Sequence, residues 1–487
     1  MRGVWRVEAV RAAEDALLRT DPAGALMRRA AAGLANRCCR VLDGVYGARV
    51  LLLIGAGNNG GDALYAGARL TRRGARVDAL LLVPDRAHAG GLAALRAAGG
   101  RAHPADAARL AGADLVLDGI VGIGGTGALR PAAAELASAA AESGAVRVAV
   151  DIPSGVSADT GAVTGTAFRA GLTVTFGCLK PGLVTYPGRA HAGVVDVVDI
   201  GLRPHLGEPT ASVPDIHDVA DWLPRPGPLD DKYTRGVVGV ASGSADYSGA
   251  ALLSVGGAVR GFAGMVRYAG QAGDAVRARW PEAVVTDGGP ATAGRAQAWV
   301  VGPGLGTDAR AAKVVREVLA CDLPVLVDAD GLTILARHPE WVRDRQAETL
   351  LTPHDREFAR LAGAVGEDRI EATRRAAADL GATILLKGES TVISSPQGAV
   401  TVDMSGTAWL ATAGSGDVLS GLAGSLLATG LSAPQAAAAG AFLHGLAGRL
   451  ASRGGPISAA DVLDALPEVA RTVLGSGDQG GMAVSRA

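Results

Sequence analysis

Short apolar segments, each followed by a glycine-rich or polar turn and then by a helical pattern, recur along this chain in two successive series. Apolar runs that alternate with helices form parallel sheets covered by helices on both faces. The pattern therefore predicts an α/β chain of two domains, each with three α/β/α layers. The predicted strands are 49–54, 77–83, 115–117, 146–150 and 173–176 in the first series, and 237–241, 298–301, 325–327, 349–351 and 383–386 in the second.

A segment rich in proline, aspartate and glycine separates the two series. Because this composition is typical of an irregular connection, residues 213–231 are predicted to be a linker. The first domain then spans 1–212 and the second spans 232–475. The residues that follow, 476–487, are predicted to be a disordered tail.

Composition narrows the setting in which the protein works. The net charge of −1 gives no sign of binding to nucleic acid or to a membrane surface. The four cysteines show no metal-type spacing and favour the reducing cytoplasm over a disulfide framework. No run reaches ~18 apolar residues, so no transmembrane helix is expected. Helical patterns at 7–18 and 25–41 cover a sheet or a subunit seam, and we expect a homo-oligomer.

Lysine and asparagine are rare here, which makes their positions informative. Of the 47 lysines and arginines only four are lysines: Lys180, Lys232, Lys313 and Lys387. A chain that uses arginine at most cationic positions retains lysine where a compact ammonium on a flexible stem matters. Only three asparagines occur, and two of them, Asn58 and Asn59, are adjacent.

The turn after the first strand carries polar side chains that an ordinary dinucleotide-binding turn lacks. The glycines of 55–60 satisfy the G-x-G-x-x-G spacing, which alone is a weak signal. Asn58, Asn59 and Asp62 add amide oxygens and a carboxylate, which suit a hard cation or a ribose and phosphate ligand. The alternative is that the asparagines only shape the turn.

Two aspartates follow other strands of the first series. Asp118 and Asp151 each stand directly after a predicted strand, and Ser154 follows shortly. Since ligands of parallel sheets lie beyond the carboxyl ends of the strands, these side chains are predicted to converge with the two adjacent asparagines. Either aspartate taken alone could instead cap a helix.

The stretch Gly414-Ser-Gly-Asp417 leads into a helical pattern. Glycines let backbone N–H groups crowd around an anion, and a helix N-terminus adds positive partial charge. An aspartate at this position suits a base that takes a proton from a hydroxyl beside a phosphate. The alternative is a glycine-rich cap in which Asp417 only complements the helix dipole.

Two further polar positions have two interpretations each, and a third has one. Lys387 follows a predicted strand and precedes Gly388, which indicates a close approach by a ligand or else a solvated strand end. His354 contacts a ligand or caps a helix. His444 lies in an alanine-rich helical pattern and is predicted to be structural.

These motifs together resemble known enzyme families. The second series carries the G-x-G-D turn of the ribokinase-like superfamily and resembles the ADP/ATP-dependent NAD(P)H-hydrate dehydratases, whereas the first resembles the NAD(P)H-hydrate epimerases. Fused in this order, they are similar to the bifunctional nicotinamide-nucleotide repair enzymes of bacteria. The resemblance implies a Rossmann-like first domain and a ribokinase-like second domain. Its motifs lie at 57–62, 118–127 and 151–155, and at 232–236, 247–250, 302–306, 352–358, 387–391 and 414–417.

For the first domain the resemblance implies an epimerase that interconverts the R and S hydrates of NADH and NADPH, known as NADHX and NADPHX. Asp151 is implied as a catalytic residue that stabilises a cationic intermediate. Asn59, Asp118 and Ser154 are implied as a potassium site. The implied substrate contacts are Asn58, Asn59, Gly60, Gly61, Asp62, Gly122, Ile123, Gly124, Gly125, Thr126, Gly127, Ala128 and Asp151.

For the second domain the resemblance implies a dehydratase that acts on the S hydrate. ADP or ATP is consumed, AMP or ADP and phosphate are released, and Mg²⁺ bridges the phosphates. Asp417 is implied as the catalytic base. The implied substrate contacts are Ala250, Gly304, His354 and Asp417, and the implied nucleotide contacts are Lys387, Gly388, Glu389, Ser390, Thr391 and Gly416.

The chain departs from the family pattern at a few positions, which bear on the shape of the nucleotide pocket. They are Arg28 for Glu, Ala63 for Gly, Asp355-Arg356 for Pro-Gly, and Thr407-Ala408 for Asn-Pro. The alternative function is a ribokinase-type vitamin or sugar kinase fused to a Rossmann-like binding module. That enzyme would make a stable phosphorylated product.

Overall fold

The computed structural model of this chain describes residues 1–482 and divides into two compact units. The N-terminal unit spans Gly3–Ala211. The C-terminal unit comprises Met1–Arg2 together with the chain from Ser212 onward. The first strand, β1 (Arg2–Val4), lies at this division.

The N-terminal unit contains a seven-stranded sheet in the order β4-β3-β2-β5-β6-β7-β8, with every pair parallel. Its strands are β2 (Arg49–Ile54), β3 (Arg76–Leu81), β4 (Arg101–Pro104), β5 (Leu115–Gly119), β6 (Val146–Val150), β7 (Leu172–Phe176) and β8 (Val194–Val198). The order reverses between β2 and β5. In such doubly wound sheets, ligands bind beyond the carboxyl ends of the strands at this reversal.

Both faces of the N-terminal sheet are buried. Leu52 and Ile54 of β2 pack in one apolar cluster, and Leu51 and Leu53 pack in another. Because successive side chains of a strand point to opposite faces, this alternation requires cover on both sides. The helices of the unit are α1 (Val7–Leu18), α2 (Ala25–Val41), α3 (Asn58–Arg72), α4 (Ala89–Ala97), α5 (Pro131–Glu142), α6 (Pro181–Val184) and α7 (Gly188–Ala192).

The C-terminal unit is built on a sheet in the order β1-β9-β18-β17-β16-β15-β14-β13-β10-β11-β12. Its strands are β9 (Ala211–Val213), β10 (Val237–Ala241), β11 (Met265–Ala269), β12 (Val284–Thr286), β13 (Ala298–Val301), β14 (Val325–Val327), β15 (Thr349–Leu351), β16 (Thr383–Leu386), β17 (Thr391–Ser394) and β18 (Val400–Asp403). The strands from β12 to β16 in this order pair in parallel, and β17 pairs antiparallel with β16 and β18.

The C-terminal sheet is also covered on both faces. Val300 and Leu326 pack in one cluster, whereas their strand neighbours Val301 and Val327 pack in another. The predicted α/β class with two three-layer domains is thereby confirmed. The helices of the unit are α8 (Ile216–Trp222), α9 (Ser248–Val259), α10 (Gly273–Arg279), α11 (Ala309–Leu319), α12 (Asp330–Leu335), α13 (Glu340–Arg343), α14 (Asp355–Ala362), α15 (Arg369–Leu380), α16 (Ser415–Ala428), α17 (Ala433–Ser452) and α18 (Ala459–Met482).

Part of the segment predicted as a linker is regular structure. Helix α8 lies within 213–231, and its Val219 and Ala220 are buried in the C-terminal core. Asp215 caps this helix by accepting hydrogen bonds from the backbone N–H groups of His217 and Asp218. An aspartate that suggested an irregular connection is therefore a helix cap.

The last helix, the absence of a membrane-spanning helix among the described residues and the state of the cysteines bear on three further predictions. The tail predicted to be disordered, 476–487, overlaps α18 as far as Met482, and residues 483–487 lie outside the described part of the chain. No helix within residues 1–482 is long and apolar enough to cross a membrane. All four cysteines are free thiols.

Candidate functional site

The N-terminal site begins at the turn between β2 and α3. Gly57 adopts φ 105°, a backbone conformation that favours glycine, and Asn58 and Asn59 form the first turn of the helix. The Asn59 side-chain nitrogen is buried and has no hydrogen-bond partner among the described residues. A Cβ added at Gly122 would lie 2.9 Å from the Asn59 Oδ1, so the asparagine packs directly against the loop after β5.

Asp118 and Ser154 form a buried polar pair beside this turn. The Ser154 backbone N–H donates to Asp118 Oδ2 (2.8 Å), and the Ser154 hydroxyl donates to Asp118 Oδ1 (2.7 Å). Asp118 is fully buried, and burial raises its pKa to about 6 although these hydrogen bonds act in the opposite direction. The Ser154 oxygen also accepts from the Val121 N–H (2.9 Å). The predicted convergence of Asn59, Asp118 and Ser154 around the loop after β5 is what the structure shows.

Asp151 is held by a lysine that the sequence reasoning did not assign to the site. The Lys180 Nζ donates to Asp151 Oδ1 at 2.6 Å, and this lysine is only 1% exposed. Thr175 and the Phe176 backbone N–H donate to the same oxygen, at 2.9 Å and 3.2 Å. Asp151 itself has φ 65°, an unfavourable conformation for this residue type. The other oxygen, Oδ2, accepts no hydrogen bond from a described residue and is available to a ligand.

A cavity of about 730 Å³ opens at the switch point between β2 and β5. The predicted site residues in its lining are Asn58, Asn59, Asp62, Gly122, Ile123, Gly124 and Asp151. Glu14 from α1 lines it as well, although no chemistry was expected from the N-terminal helices. Burial, followed by repulsion from Asp151 and Glu14, raises the pKa of Asp62 well above its ordinary range.

The remaining predicted substrate contacts separate into two groups. Gly125, Thr126, Gly127 and Ala128 line an adjoining cavity of about 360 Å³, together with Arg86 and Arg130. Gly60 and Gly61 line neither cavity; both are buried in the first turns of α3. A Cβ at Gly60 would lie 2.8 Å from the Gly55 carbonyl oxygen, so this glycine permits the close turn. The structure thus brings most of the predicted residues, but not all, to cavity walls.

The C-terminal site centres on the N-terminus of α16. Gly414 caps this helix with φ 85°, and Asp417 lies in the first turn. Burial raises the pKa of Asp417 to about 7; Asp328 adds to this rise and Lys387 opposes it. A carboxylate that titrates near neutrality is suited to accept a proton at physiological pH.

Lys387 connects several strand ends around Asp417. Its Nζ donates to Asp328 Oδ1 at 2.7 Å and lies 4.0 Å from Glu357 Oε2. The Ser420 hydroxyl donates to the other oxygen of Asp328 at 2.6 Å. Burial lowers the pKa of Lys387, but the charges of Asp328 and Glu357 outweigh it and the net shift is upward. The ammonium therefore stays charged beside the helix N-terminus.

His354 caps helix α14. Its Nδ1 accepts hydrogen bonds from the backbone N–H groups of Arg356 (3.1 Å) and Glu357 (3.3 Å), and the Glu357 carboxylate accepts from the His354 N–H (2.9 Å). His354 therefore caps a helix, which is one of the two roles predicted for it. The other face of the ring still lines the cavity described next.

A cavity of about 560 Å³ lies beside the first turn of α16. The predicted residues in its lining are His354, Lys387, Gly388, Glu389, Thr391 and Gly416. Ser390 is fully buried and does not line it. His444 does line it with a buried Nε2 that has no partner among the described residues, and burial lowers the pKa of this histidine to about 4.

Ala250 and Gly304 lie outside the lining of this cavity but meet each other. A Cβ added to Gly304 would approach the Ala250 Cβ to 2.7 Å. The same glycine-rich loop is fixed to the loop after β14, because the Gly306 N–H donates to Asp330 at 2.9 Å. Asp330 in turn contributes to the raised pKa of Asp417. Asp417 is not in the lining of the Lys387 cavity, but its pKa responds both to Lys387 and to Asp330 beside this loop.

Three residues that depart from the family pattern line one of the two main cavities. Arg28 lines the N-terminal cavity, and Thr407 and Ala408 line the C-terminal cavity. Asp355 forms an ion pair with Arg369 at 2.9 Å, and Arg369 also donates to the Lys387 carbonyl oxygen at 3.2 Å. The Asp355 substitution is therefore built into the support of the lysine strand end.

The sequence offered a signal for some of the residues that were missed. Lys180 is one of only four lysines and follows a buried strand, as Lys387 does. Asp328 directly follows β14, so the strand-end rule that selected Asp118 would have selected it. Glu14 carried a weaker signal: its helical spacing from Val10 and Leu17 places it on the apolar face of its helix, where a charged residue is unusual.

Comparison with known proteins gives matches over nearly the whole chain. The family described as "NAD(P)H-hydrate dehydratase" matches residues 238–467, and the family described as "YjeF-related protein N-terminus" matches residues 23–182. A relative from Mycobacterium tuberculosis, named bifunctional NAD(P)H-hydrate repair enzyme Nnr, is 54% identical over 443 residues, which cover 90% of this chain and 92% of the relative.

Two solved structures are similar to the C-terminal half. A ribokinase-like superfamily protein from Enterococcus faecalis is 24% identical with a TM-score of 0.50, and the match covers 54% of this chain and 96% of that one. An ADP/ATP-dependent NAD(P)H-hydrate dehydratase from Bacillus subtilis, co-crystallized with ATP/Mg²⁺, is 27% identical with a TM-score of 0.49 and covers 54% of this chain and 99% of its own. The first of these shows the fold of the C-terminal unit.

Proposed function

This chain belongs to the family of bifunctional NAD(P)H-hydrate repair enzymes, and we propose that each of its two units carries one of the two reactions. The N-terminal unit interconverts the R and S hydrates of NADH and NADPH. The C-terminal unit dehydrates the S hydrate with ADP or ATP and releases AMP or ADP together with phosphate. The position of Asp417, ionisable near neutrality at a helix N-terminus beside Lys387, is the observation that carries the proposal.

In the N-terminal unit, Asp151 is the carboxylate that faces the hydrated nicotinamide ring. Its Oδ1 is occupied by three donors of the protein, so Oδ2 is the atom that meets the substrate. The Lys180 ammonium compensates the buried charge and fixes the orientation of the carboxylate. Asn58 and Asp62 contact the nucleotide from the turn before α3, and the loop 122–128 contacts it from the opposite side.

The polar groups at Asn59, Asp118 and Ser154 fit a potassium ion. They offer one carboxylate and neutral oxygens, a donor set of low charge that suits a monovalent rather than a divalent cation. Asp118 is buried without a cationic partner among the described residues. The buried Asn59 side-chain nitrogen has no acceptor among the described residues that would hold it in place, so the amide can turn its oxygen towards an ion without loss of a hydrogen bond. The ion would supply the positive charge that keeps the Asp118 carboxylate ionised, and would fix the loop after β5 against the asparagine turn.

In the C-terminal unit, the nucleotide binds in the cavity lined by Lys387, Gly388, Glu389, Thr391 and Gly416. Asp417 removes the proton of the ring hydroxyl, and the backbone N–H groups of 414–416 together with the Lys387 ammonium stabilise the transferred phosphoryl group. Mg²⁺, when bound, neutralises charge between the phosphates. Ala250 and Gly304 contact the hydrate on the other side of Asp417.

The decisive assay uses the purified full chain with mixed R and S hydrates and either ADP or ATP. Repair predicts release of inorganic phosphate and return of the near-ultraviolet absorbance of reduced nicotinamide. The kinase alternative predicts a stable phosphorylated product and no such absorbance. Absence of both repair and epimer exchange in the wild-type chain would refute the proposal.

The proposal also covers the cellular setting. We place the protein in the cytoplasm, supported by four free thiols in a structure with buried Cys38 and Cys178. We also propose a homo-oligomer.

Light scattering on the purified chain tests this oligomeric state, and a mass equal to one chain across micromolar concentrations would exclude a homo-oligomer.

A further inference from the structure

We propose that Glu14 is a second catalytic residue of the N-terminal site and exchanges a proton with the hydrated ring opposite Asp151. The inference rests on the epimerase function proposed above. It assigns a role to a helix whose sequence showed no chemistry, and to a carboxylate that none of the family motifs includes.

The position of Glu14 is fixed by the packing of α1. The helix buries Val10 and Leu17, which lie one turn before and one turn after Glu14 on the same face. This places Glu14 half-buried in the wall of the 730 Å³ cavity that Asp62 and Asp151 also line. Three carboxylates from three separate elements therefore face one ligand-sized space.

Glu14 has no structural partner that would account for its position. No described residue forms a hydrogen bond or an ion pair with its carboxylate, and none of its contacts caps a helix. A half-buried carboxylate without a partner destabilises the fold. Functional sites are where such uncompensated groups persist.

Asp151 and Glu14 have different electrostatic surroundings, as the acid and the base of an enzyme commonly do. Asp151 is paired with the Lys180 ammonium at 2.6 Å, whereas Glu14 has no such partner among the described residues. Burial raises the pKa of Glu14, and the charge of Asp151 raises it further, while Lys180 and Arg11 act in the opposite direction. Environments that separate the proton affinities of two neighbouring acids define which acts as the base and which as the acid.

The proposed step opens and recloses the hydrated ring. Asp151 removes the proton of the C6 hydroxyl, the C6=O bond forms, and the C6–N1 bond breaks. The electron pair of that bond goes to N1, which Glu14 protonates. Rotation of the free aldehyde and return of both protons along the same path reclose the ring with the opposite configuration at C6. Atoms and electrons balance without a co-reactant.

Asp62 is the competing candidate for the acid. Its Oδ1 is buried and has no hydrogen-bond partner among the described residues, and its pKa is also raised. Its position next to the asparagine turn suits contact with the nucleotide, whereas Glu14 approaches the cavity from the separate helix α1. Parallel substitution of both residues separates the two assignments.

The titratable and charged groups around Glu14 belong in the interpretation of its pH profile. They are Arg11 and Asp15 on α1, Arg28 on α2, Asp62 on α3, His88 before α4, and Asp151, Cys178 and Lys180 from the ends of β6 and β7. None of these is altered in the test variant.

The test compares Glu14→Gln with Glu8→Gln, an exposed glutamate on the same helix that does not line the cavity. Epimer exchange is measured by magnetisation transfer or chromatography across pH 5–9, with the enzyme-free rate subtracted. Glu14→Gln is expected to lower the exchange rate by about 10²–10⁴-fold and to remove the alkaline decline that a protonated Glu14 predicts for the wild type. Glu8→Gln keeps both the rate and the profile, and dehydration of pure S hydrate is unchanged in both variants.

The outcomes separate the inference from the function it rests on. If the wild-type chain exchanges the epimers and Glu14→Gln does so at the wild-type rate, the inference is overturned while the epimerase function stands. A slower rate with an unshifted pH profile assigns Glu14 a structural role and overturns it as well, as does loss of the alkaline decline only in Asp62→Asn. If the wild type itself shows no exchange, the proposed function fails. Glu14→Asp, which keeps a carboxylate, is expected to recover part of the rate and the alkaline decline even if Glu14→Gln folds poorly.

Discussion

The two units each place a lysine and an aspartate together beyond the carboxyl ends of their strands, but they use the pair differently. In the N-terminal unit, the buried Lys180 binds Asp151, the carboxylate proposed to react, at 2.6 Å. In the C-terminal unit, Lys387 binds Asp328 at 2.7 Å, and the proposed base Asp417 has no such partner. The comparison teaches that the ammonium can contact the reacting carboxylate directly, as at Asp151, or contact a neighbouring carboxylate instead, in which case burial dominates the pKa of the base, as at Asp417.

The largest expected effect comes from removal of the proposed base of the C-terminal unit. Asp417→Asn keeps the size of the side chain and removes the proton acceptor, so dehydration should fall by about 10²–10⁴-fold. Nucleotide affinity should hold or improve, because a negative charge beside the phosphates is lost. Phosphate release and nucleotide titration on the full chain measure both quantities.

Asp464→Asn is the matched control, since Asp464 is exposed on α18 and forms no hydrogen bond with a described residue. Epimer exchange should be unaffected in either variant. Dehydration by Asp417→Asn at the rate of this control would mean that Asp417 only complements the helix dipole.

Lys180→Met tests the N-terminal pair. It leaves the Asp151 charge buried and unpaired, and removal of one partner of a buried ion pair costs about 3–5 kcal/mol. Urea unfolding of the full chain should show this loss in the N-terminal unit. Epimer exchange should also fall, because Asp151 loses the ammonium that fixes the orientation of its carboxylate.

Lys313→Met is the control for that variant, because Lys313 lies exposed on α11 and forms no ion pair among the described residues. Its unfolding free energy should change by less than about 0.5 kcal/mol. Equal destabilisation by the two substitutions would contradict the role assigned to the buried pair.

Ser420→Ala tests the support of the ion pair between Lys387 and Asp328. The Ser420 hydroxyl donates to Asp328 at 2.6 Å, and hydrogen bonds to charged groups contribute about 1.5–3 kcal/mol. The C-terminal unit should lose stability in that range, and Lys387 should hold Asp328 less firmly, which weakens nucleotide binding. Ser254→Ala is the control, since the buried Ser254 hydroxyl donates only to the Ala250 carbonyl of its own helix. If Ser420→Ala lowers the free energy of unfolding less than Ser254→Ala does, the hydrogen bond from Ser420 to Asp328 does not have the role assigned to it.

The pH dependence of dehydration gives the smallest effect. Asp417 must be ionised to act as a base, so below its pKa of about 7 the rate should fall about tenfold for each pH unit. Since folding raises this pKa above the ordinary value of 3.8, the effect on stability has the opposite sign: the free energy of unfolding decreases as the pH rises from about 4 towards 7. A dehydration rate that is flat from pH 7 to pH 5, with substrate saturating, would remove Asp417 as the titrating base.

The sequence alone determined the class of fold and the places where polar side chains gather. The apolar runs of β2, β5 and β6 admit burial on both faces, and the strand-end rule selected Asp118, Asp151 and Lys387 before any geometry was known. It did not reveal β17 and β18, because polar residues interrupt these short segments, whereas the equally short β14 and β16 are nearly continuous apolar runs. The aspartate cap of α8 was likewise hidden within a proline-rich segment.

Only the tertiary structure decided which polar groups meet. Lys180 follows Asp151 by 29 positions, and Lys387 and Asp328 are 59 apart, so no local pattern pairs them. Glu14 became part of a site because α1 packs beside the switch point of the sheet; its own helix shows only that it shares the apolar face, which the exposed Glu8 does not. Local periodicity determines which face of an element is buried, whereas the electrostatics of a site depend on long-range packing, which brings charges from distant segments into one poorly solvated space.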